Sequence, residues 1–180
     1  MKVVSIVGMT GSGKSEVARL FEAEGFTTVR FGDITDEEVK KQGLKLSEAN
    51  ERKARERLRK KYGMTAYAQL NCPRIDTALK KSSVVVDGLY SWEEYGYLKD
   101  RYGDDFVVVA VWASPRIRYH RLGSRAIRPL TPQEAASRDR AEIENLSKGG
   151  PIAVADYTIL NESSPTHLKK EVAMIIAALK

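Results

Sequence analysis

Gly8-Met9-Thr10-Gly11-Ser12-Gly13-Lys14-Ser15 combines glycines, a lysine and a hydroxyl at the spacing G-x-x-x-x-G-K-[ST]. That spacing suits one chemical task, ringing phosphate oxygens with backbone N–H groups. Glycines allow the chain to wrap closely with dihedrals other residues avoid. Lys14 would then reach the β- and γ-phosphates, and the Ser15 hydroxyl would ligate magnesium. A helix predicted over Lys14 to Glu24 would aim its positive N-terminal dipole at the same charge.

Other residues are candidates by type and position. Val84-Val85-Val86-Asp87-Gly88 reads as an apolar strand that ends in a carboxylate, which suits a second magnesium ligand. Asp-Gly is also a common turn, so a purely local role for Asp87 and Gly88 stays open. Arg121, Arg125 and Arg128 fall near the end of a helix begun at Ser114, and positions 121 and 125 are expected to share a helix face. They read as the start of a small lid over 121–131, with Arg125 bridging the transferring phosphoryl and Arg138 approaching from the next helix. A solvated basic face is the plainer alternative. Asp33, after the second strand, is either a general base or substrate-orienting group at the active edge, or an N-cap for a helix over Ile34 to Gln42.

The elements that must position these groups alternate short β-branched runs with longer helical stretches, the pattern of an α/β fold with a parallel sheet. Strands are predicted at Lys2–Val7, Thr27–Phe31, Ser83–Asp87, Phe106–Trp112 and Tyr157–Leu160. Several are continuously apolar, as expected when helices cover both faces. Ser114-Pro115, Thr131-Pro132 and Ser164-Pro165 each set a capping hydroxyl before a proline, and Thr131 with Glu134 completes a capping box. Gly25 and Gly63 read as helix stops. Residues 33–81 read as a helical insertion, with helices from Glu48 to Tyr62, capped by Ser47, and from Met64 to Lys81. Residues 1–180 are expected to form a single domain.

Bulk properties bound the function. The chain has 180 residues, a net charge of +6 and one cysteine, Cys72, so neither an internal disulfide nor a cysteine zinc cluster can form. Its longest apolar runs are strand-sized, far below the roughly 20 residues of a membrane span, and a cytoplasmic location is expected. The basic balance favours an anionic partner, either a nucleic acid backbone or a small polyphosphate. The chain lacks the Asn-Lys-x-Asp guanine-reading motif, and its length sets it apart from typical AAA or ABC ATPases.

The chain resembles the nucleoside monophosphate kinase and dephospho-CoA kinase group, and within it archaeal adenylate-kinase-related, dephospho-CoA-kinase-like proteins. The resemblance rests on Gly8 to Ser15, Phe31-Gly32-Asp33, Glu37-Glu38, Val86-Asp87-Gly88 and Ala113-Ser114-Pro115. It continues through Arg121-Leu122-x-x-Arg125, Ala155-Asp156-Tyr157 and Asn161-Glu162. Asp87-Gly88 resembles monophosphate kinases, whereas Arg121 to Arg138 and Ala155 to Asn161 resemble dephospho-CoA kinases. The proline- and leucine-rich segment that the latter carry after strand three is absent.

The resemblance implies a P-loop three-layer sandwich around a five-stranded parallel sheet, with ATP and Mg2+ as cofactors and a small nucleotide as acceptor. Neither nucleic acid nor membrane is expected as a partner, and the protein is expected to be a monomer or homodimer. It implies that Lys14, Asp33, Arg121 and Arg125 are catalytic. Gly8 to Ser15, Arg121, Asn161, Glu162 and Ser163 would hold ATP. Asp33, Asp87, Gly88, Tyr90, Arg128 and Arg138 would meet the acceptor, and Ser15 and Asp87 the metal. The chain departs from its archaeal relatives at Asp36 and Tyr90, where they usually carry arginine, which argues against simple AMP phosphorylation. Tyr90, Trp92, Tyr95 and Tyr97 either stack on a base or pack the core.

Overall fold

The fold is given by a computed structural model, which describes residues 1–126 and 129–179, with Glu48 described in its backbone only. Five short strands form one parallel sheet: β1 (Val3–Val7), β2 (Thr27–Arg30), β3 (Val84–Asp87), β4 (Phe106–Trp112) and β5 (Tyr157–Leu160). Their order across the sheet is β2-β3-β1-β4-β5. β1 is buried along its whole length because it pairs with β3 on one side and β4 on the other. Alternate residues of each central strand therefore face opposite cores. Val3, Val7, Val84, Val86, Val108 and Ala110 meet one, and Val4, Ile6, Val85, Val107 and Val109 meet the other. Each valine or isoleucine among them contributes about 1.5–3 kcal/mol by leaving water.

The helices are α1 (Lys14–Ala23), α2 (Asp33–Lys41), α3 (Glu48–Tyr62), α4 (Ala66–Leu79), α5 (Trp92–Tyr102), α6 (Pro115–Gly123), α7 (Pro132–Leu146), α8 (Gly149–Ala153) and α9 (Pro165–Leu179). α1 and α9 cover one face through Val17, Phe21, Leu168, Val172 and Ile176. α4 and α5 cover the other through Tyr67, Cys72, Ile75 and Leu98. The result is the expected three-layer α/β sandwich. Because all strands run the same way, their C-terminal ends bring Gly8, Asp33, Asp87, Ser114 and Asn161 to one edge.

Local signals explain most helix boundaries. Ser47 Oγ accepts from Asn50 N at 3.3 Å, and Thr131 with Glu134 forms the full capping box. Ser164 Oγ accepts from His167 N at 3.3 Å. Ser114 departs from expectation: its hydroxyl makes no cap, and its N–H donates instead to the Glu162 carboxylate at 2.6 Å. Among the described residues no helix is long and apolar enough to cross a membrane.

Candidate active site

The loop after β1 closes tightly, and two of its glycines are required by contact as well as by dihedral. Gly8 has φ 144°, and a Cβ there would lie 2.3 Å from the Val111 carbonyl oxygen of β4. Gly13 has φ 99°, and its Cβ would lie 2.1 Å from Asn161 Nδ2. Lys14 opens α1 and donates from Nζ to the Met9 carbonyl at 3.1 Å, so the ammonium lies across the loop. Burial pushes that ammonium down to about 7, and the positive charge of Lys148 adds to the effect, opposed by Glu142 and Asp87. An anion arriving in the loop would restore the charged form.

Ser15 and Asp87 converge across 72 residues of sequence, with Ser15 Oγ donating to Asp87 Oδ2 at 3.1 Å. The β1–β3 register causes this by pairing Ile6 with Asp87. The pair supplies two hard oxygen donors beside the phosphate loop. That fits Mg2+, which usually keeps several waters and takes one or two protein oxygens. No cluster of three or more His, Cys, Asp or Glu able to hold a metal occurs among the described residues.

On the far side of the loop, α6 and the turn after β5 form a latch. Arg121 donates to the Asn161 carbonyl at 2.8 Å and to the Ser12 carbonyl at 3.5 Å. Asn161 Nδ2 donates to the same Ser12 carbonyl at 2.8 Å. Arg121 and Asn161 thus both stand at the loop, bonded to its backbone and to each other. Glu162 is exposed and anchors the Ser114 N–H, while Ser163 is exposed in the turn.

Arg125 requires a correction. α6 ends at Gly123 with Ser124 as its C-cap, so Arg125 lies beyond the helix, exposed, and shares no helix face with Arg121. Arg128 lies outside the described residues. Arg138 sits on α7 with Nε 3.4 Å from Glu142 Oε1.

Sequence reasoning missed Arg118, the buried arginine of α6. It donates to the carbonyls of Ala113 (3.1 Å) and Thr10 (3.0 Å) and forms a two-pronged pair with Asp139 of α7 at 2.8 and 2.6 Å. The available signal was its spacing, four residues before the buried Leu122 on the inner face of α6. Asp156 is likewise structural, its carboxylate accepting from Val108 N at 2.8 Å.

On the β2–β3 side, Asp33 lies in the first turn of α2 and does not serve as its N-cap, a position held by Gly32. Its carboxylate is 3.2 Å from Arg30, whose guanidinium also approaches Asp36 at 3.8 Å. Tyr90 packs edge-on against Tyr67, and its hydroxyl lies over Gly88, where a Cβ would be only 2.5 Å away. Tyr95 and Tyr97 pack on the core, following the packing reading, whereas Trp92 stacks on Tyr95 at 5.0 Å and stays 45% exposed.

Glu94 is fully buried beneath this surface. Its Oε2 accepts from Tyr90 N at 2.8 Å, but Oε1 has no partner. Burial raises its pKa from 4.5 to about 7, opposed by the Tyr90 N–H and the charge of Arg59. The folded protein therefore keeps a proton that the unfolded chain releases near 4.5. Stability should be full below that pH and fall on the order of 3 kcal/mol as pH rises through about 7. Glu94→Gln, which retains an acceptor for Tyr90 N, is expected to flatten this slope. Urea denaturation at pH 5 and pH 8 reads it, and an unchanged slope in the variant would assign the effect elsewhere.

A family model described as an AAA domain matches residues 4–145. A UPF0200 protein of Thermococcus gammatolerans is 36% identical over 178 residues, covering 97% of this chain and 93% of its own. One from Thermococcus kodakarensis is 38% identical over 178 residues, with 97% and 96% covered. The chain belongs to the UPF0200 family.

Among solved structures, TT1252 from Thermus thermophilus matches the UPF0200 chain with TM-score 0.70 at 18% identity, covering 98% of this chain and 96% of that one. A shikimate kinase from Bacteroides thetaiotaomicron matches with TM-score 0.63 at 11% identity, covering 99% and 98%. A gluconokinase from Sinorhizobium meliloti matches with TM-score 0.61 at 15% identity, covering 99% and 93%. At these identities the likeness establishes the fold alone, a three-layer α/β sandwich around a five-stranded parallel sheet. Contrary to the expectation from length, this UPF0200 chain is not set apart from AAA proteins, since the family model that matches it carries that description.

Proposed function

We propose that this UPF0200 protein is an ATP-Mg-dependent phosphotransferase acting on a small nucleotide-type acceptor, with a nucleoside monophosphate as the leading class. The observation that carries the reading is the convergence of Ser15 Oγ and Asp87 Oδ2, 3.1 Å apart, at the mouth of the glycine loop beside Lys14. Such transfer depends on positioning and charge neutralisation, with little covalent chemistry for the protein to perform. Mg2+, when bound, would neutralise phosphate charge from Ser15 and Asp87. The loop N–H groups and Lys14 would hold the triphosphate, and Arg121 would keep the loop pressed against the Asn161 turn. A small-molecule acceptor in place of nucleic acid, and a monomer or homodimer, belong to the same reading.

Transfer to a hydroxyl, as in dephospho-CoA kinases, is the second reading. It is favoured by Asp33, whose side chain is 44% exposed and paired only laterally with Arg30. That leaves a carboxylate oxygen accessible at the strand edge, able to take a hydroxyl proton once within hydrogen-bond reach. The names of the shikimate kinase and gluconokinase neighbours keep non-nucleotide acceptors in view. Radiolabelled transfer from ATP-Mg to ribo- and deoxyribonucleoside monophosphates, dephospho-CoA, shikimate and gluconate decides between them. A monophosphate acceptor is expected to survive Asp33→Asn with a small loss. A hydroxyl acceptor is expected to lose about 10²–10⁴-fold, the usual worth of a general base. Labelling of no acceptor by a protein that binds ATP would refute the phosphotransferase.

A further inference from the structure

The segment that joins α7 to α8 carries a buried lysine that neither the motif nor the resemblance assigns. Lys148 has a side chain only 4% exposed, and its Nζ lies 2.7 Å from Glu142 Oε2. The backbone forces it there. Ser147, the one non-glycine with positive φ among the described residues (φ 48°), ends α7 in the left-handed conformation. The Lys148 N–H then bonds back to the Glu142 carbonyl at 3.3 Å, so one residue holds Lys148 by main chain and side chain together.

Glu142 connects this lysine to the phosphate loop. Its Oε1 accepts from the Thr10 hydroxyl at 2.5 Å and faces Arg138 Nε at 3.4 Å. On its other side Lys148 Nζ stands 5.9 Å from the centre of the Tyr90 ring, just past the end of β3. The ammonium therefore sits between the loop and the acceptor-side surface, and it is the positive charge that acts most strongly on Lys14. A desolvated ion pair is a poor stability device, because an apolar pair of equal volume commonly does as well. Two ammonium groups and a guanidinium gathered around one carboxylate do form a ready site for an incoming polyanion.

We propose that Lys148 is a phosphate-binding residue of the transfer site, held by Glu142 in the nucleotide-free protein and contacting phosphoryl oxygens beside Lys14 when they arrive. Resting on the phosphotransferase reading, the assignment deepens it by adding a cation supplied from the α7–α8 junction. The phosphoryl oxygens belong either to the terminal phosphate of ATP or to a phosphate on the acceptor.

Calorimetric binding of ADP-Mg, ATP-Mg and inorganic phosphate in the presence of ADP-Mg tests it. Lys148→Met is expected to leave ADP-Mg affinity within about 2-fold while weakening ATP-Mg by ~10- to 100-fold, the worth of one charge-assisted contact. If ATP-Mg is spared but phosphate binding to the ADP-Mg complex falls by that factor, the contact is to the acceptor side, and the proposal also stands. Glu142→Gln, which leaves the ammonium in place, is expected to preserve the ATP-over-ADP preference.

Lys148→Met with Glu142→Gln removes both buried charges and repeats the measurement if the single variant does not fold. Equal losses for ADP and ATP, no loss of either nucleotide or of phosphate, or loss of the preference in Glu142→Gln would overturn the assignment. A wild-type protein that binds no ATP-Mg would overturn the phosphotransferase reading with it. Unaltered binding in Lys148→Met, with ATP still bound by the wild type, would sink the Lys148 role alone.

Discussion

Arg118→Ala is expected to destabilise the fold by about 3–5 kcal/mol, the usual result of removing one partner from a buried pair. In a chain of this length that lowers the melting temperature on the order of 10 °C. The reason is geometric. Arg118 is 4% exposed and its guanidinium serves Asp139 on α7 and the carbonyls of Thr10 and Ala113 at once. Its loss leaves Asp139, whose side chain is 13% exposed, without its cation, and two carbonyls without a donor. Replacing both partners, as Arg118→Met with Asp139→Leu, should recover part of the loss because it removes the stranded charge. Recovery should be incomplete because Thr10 and Ala113 still lack their donor. Chemical denaturation of the two variants reads this directly. A loss below about 1 kcal/mol, the median worth of an exposed pair, would mean that the arginine does not bind as described.

Lys14→Ala is expected to reduce phosphoryl transfer by at least about 10²–10³-fold, the scale seen when one preorganised donor to developing charge is removed. Its effect on stability should be small or favourable. The wild-type ammonium is held in a site where burial and Lys148 both oppose its charge, bringing it down to about 7. Removing it takes away that opposition at the cost of its attraction to Glu142 and Asp87, and the Met9 carbonyl still accepts from the Ser12 N–H at 3.1 Å. A variant that melts at or above the wild-type temperature yet transfers no label would separate binding chemistry from folding. Retained transfer would show that Lys14 does not serve the phosphate.

Much of the fold was legible in the sequence because its causes are local. The five strands lie within a residue or two of their expected limits; in β1, β3 and β4 continuous apolar runs buried on both faces leave few alternatives. α3 runs from Glu48 to Tyr62 as expected, because Ser47 and Gly63 mark its ends chemically. The glycine loop was legible for the same reason: its spacing is a contiguous pattern, and its dihedrals demand glycine. Asp87 could be read as a strand end, but its closeness to Ser15 depended on strand order, which placed β3 beside β1.

What the tertiary structure alone decided are the pairings without a local signature. Thr10 meets Glu142 across 132 residues, Asn161 meets Ser12 across 149 and Arg118 meets Thr10 across 108. No periodicity in the chain marks these partners, because each is brought in by how α6, α7 and the turn after β5 pack around the loop. The same packing turned Lys148 from a residue of an unremarkable Ser-Lys-Gly-Gly stretch into a buried cation, and Glu94 from a helix-start acid into a half-satisfied carboxylate. Arg125 shows the converse. Four-residue spacing suggested a shared face with Arg121, and the end of α6 at Gly123 removed it, since spacing has meaning only while the helix lasts.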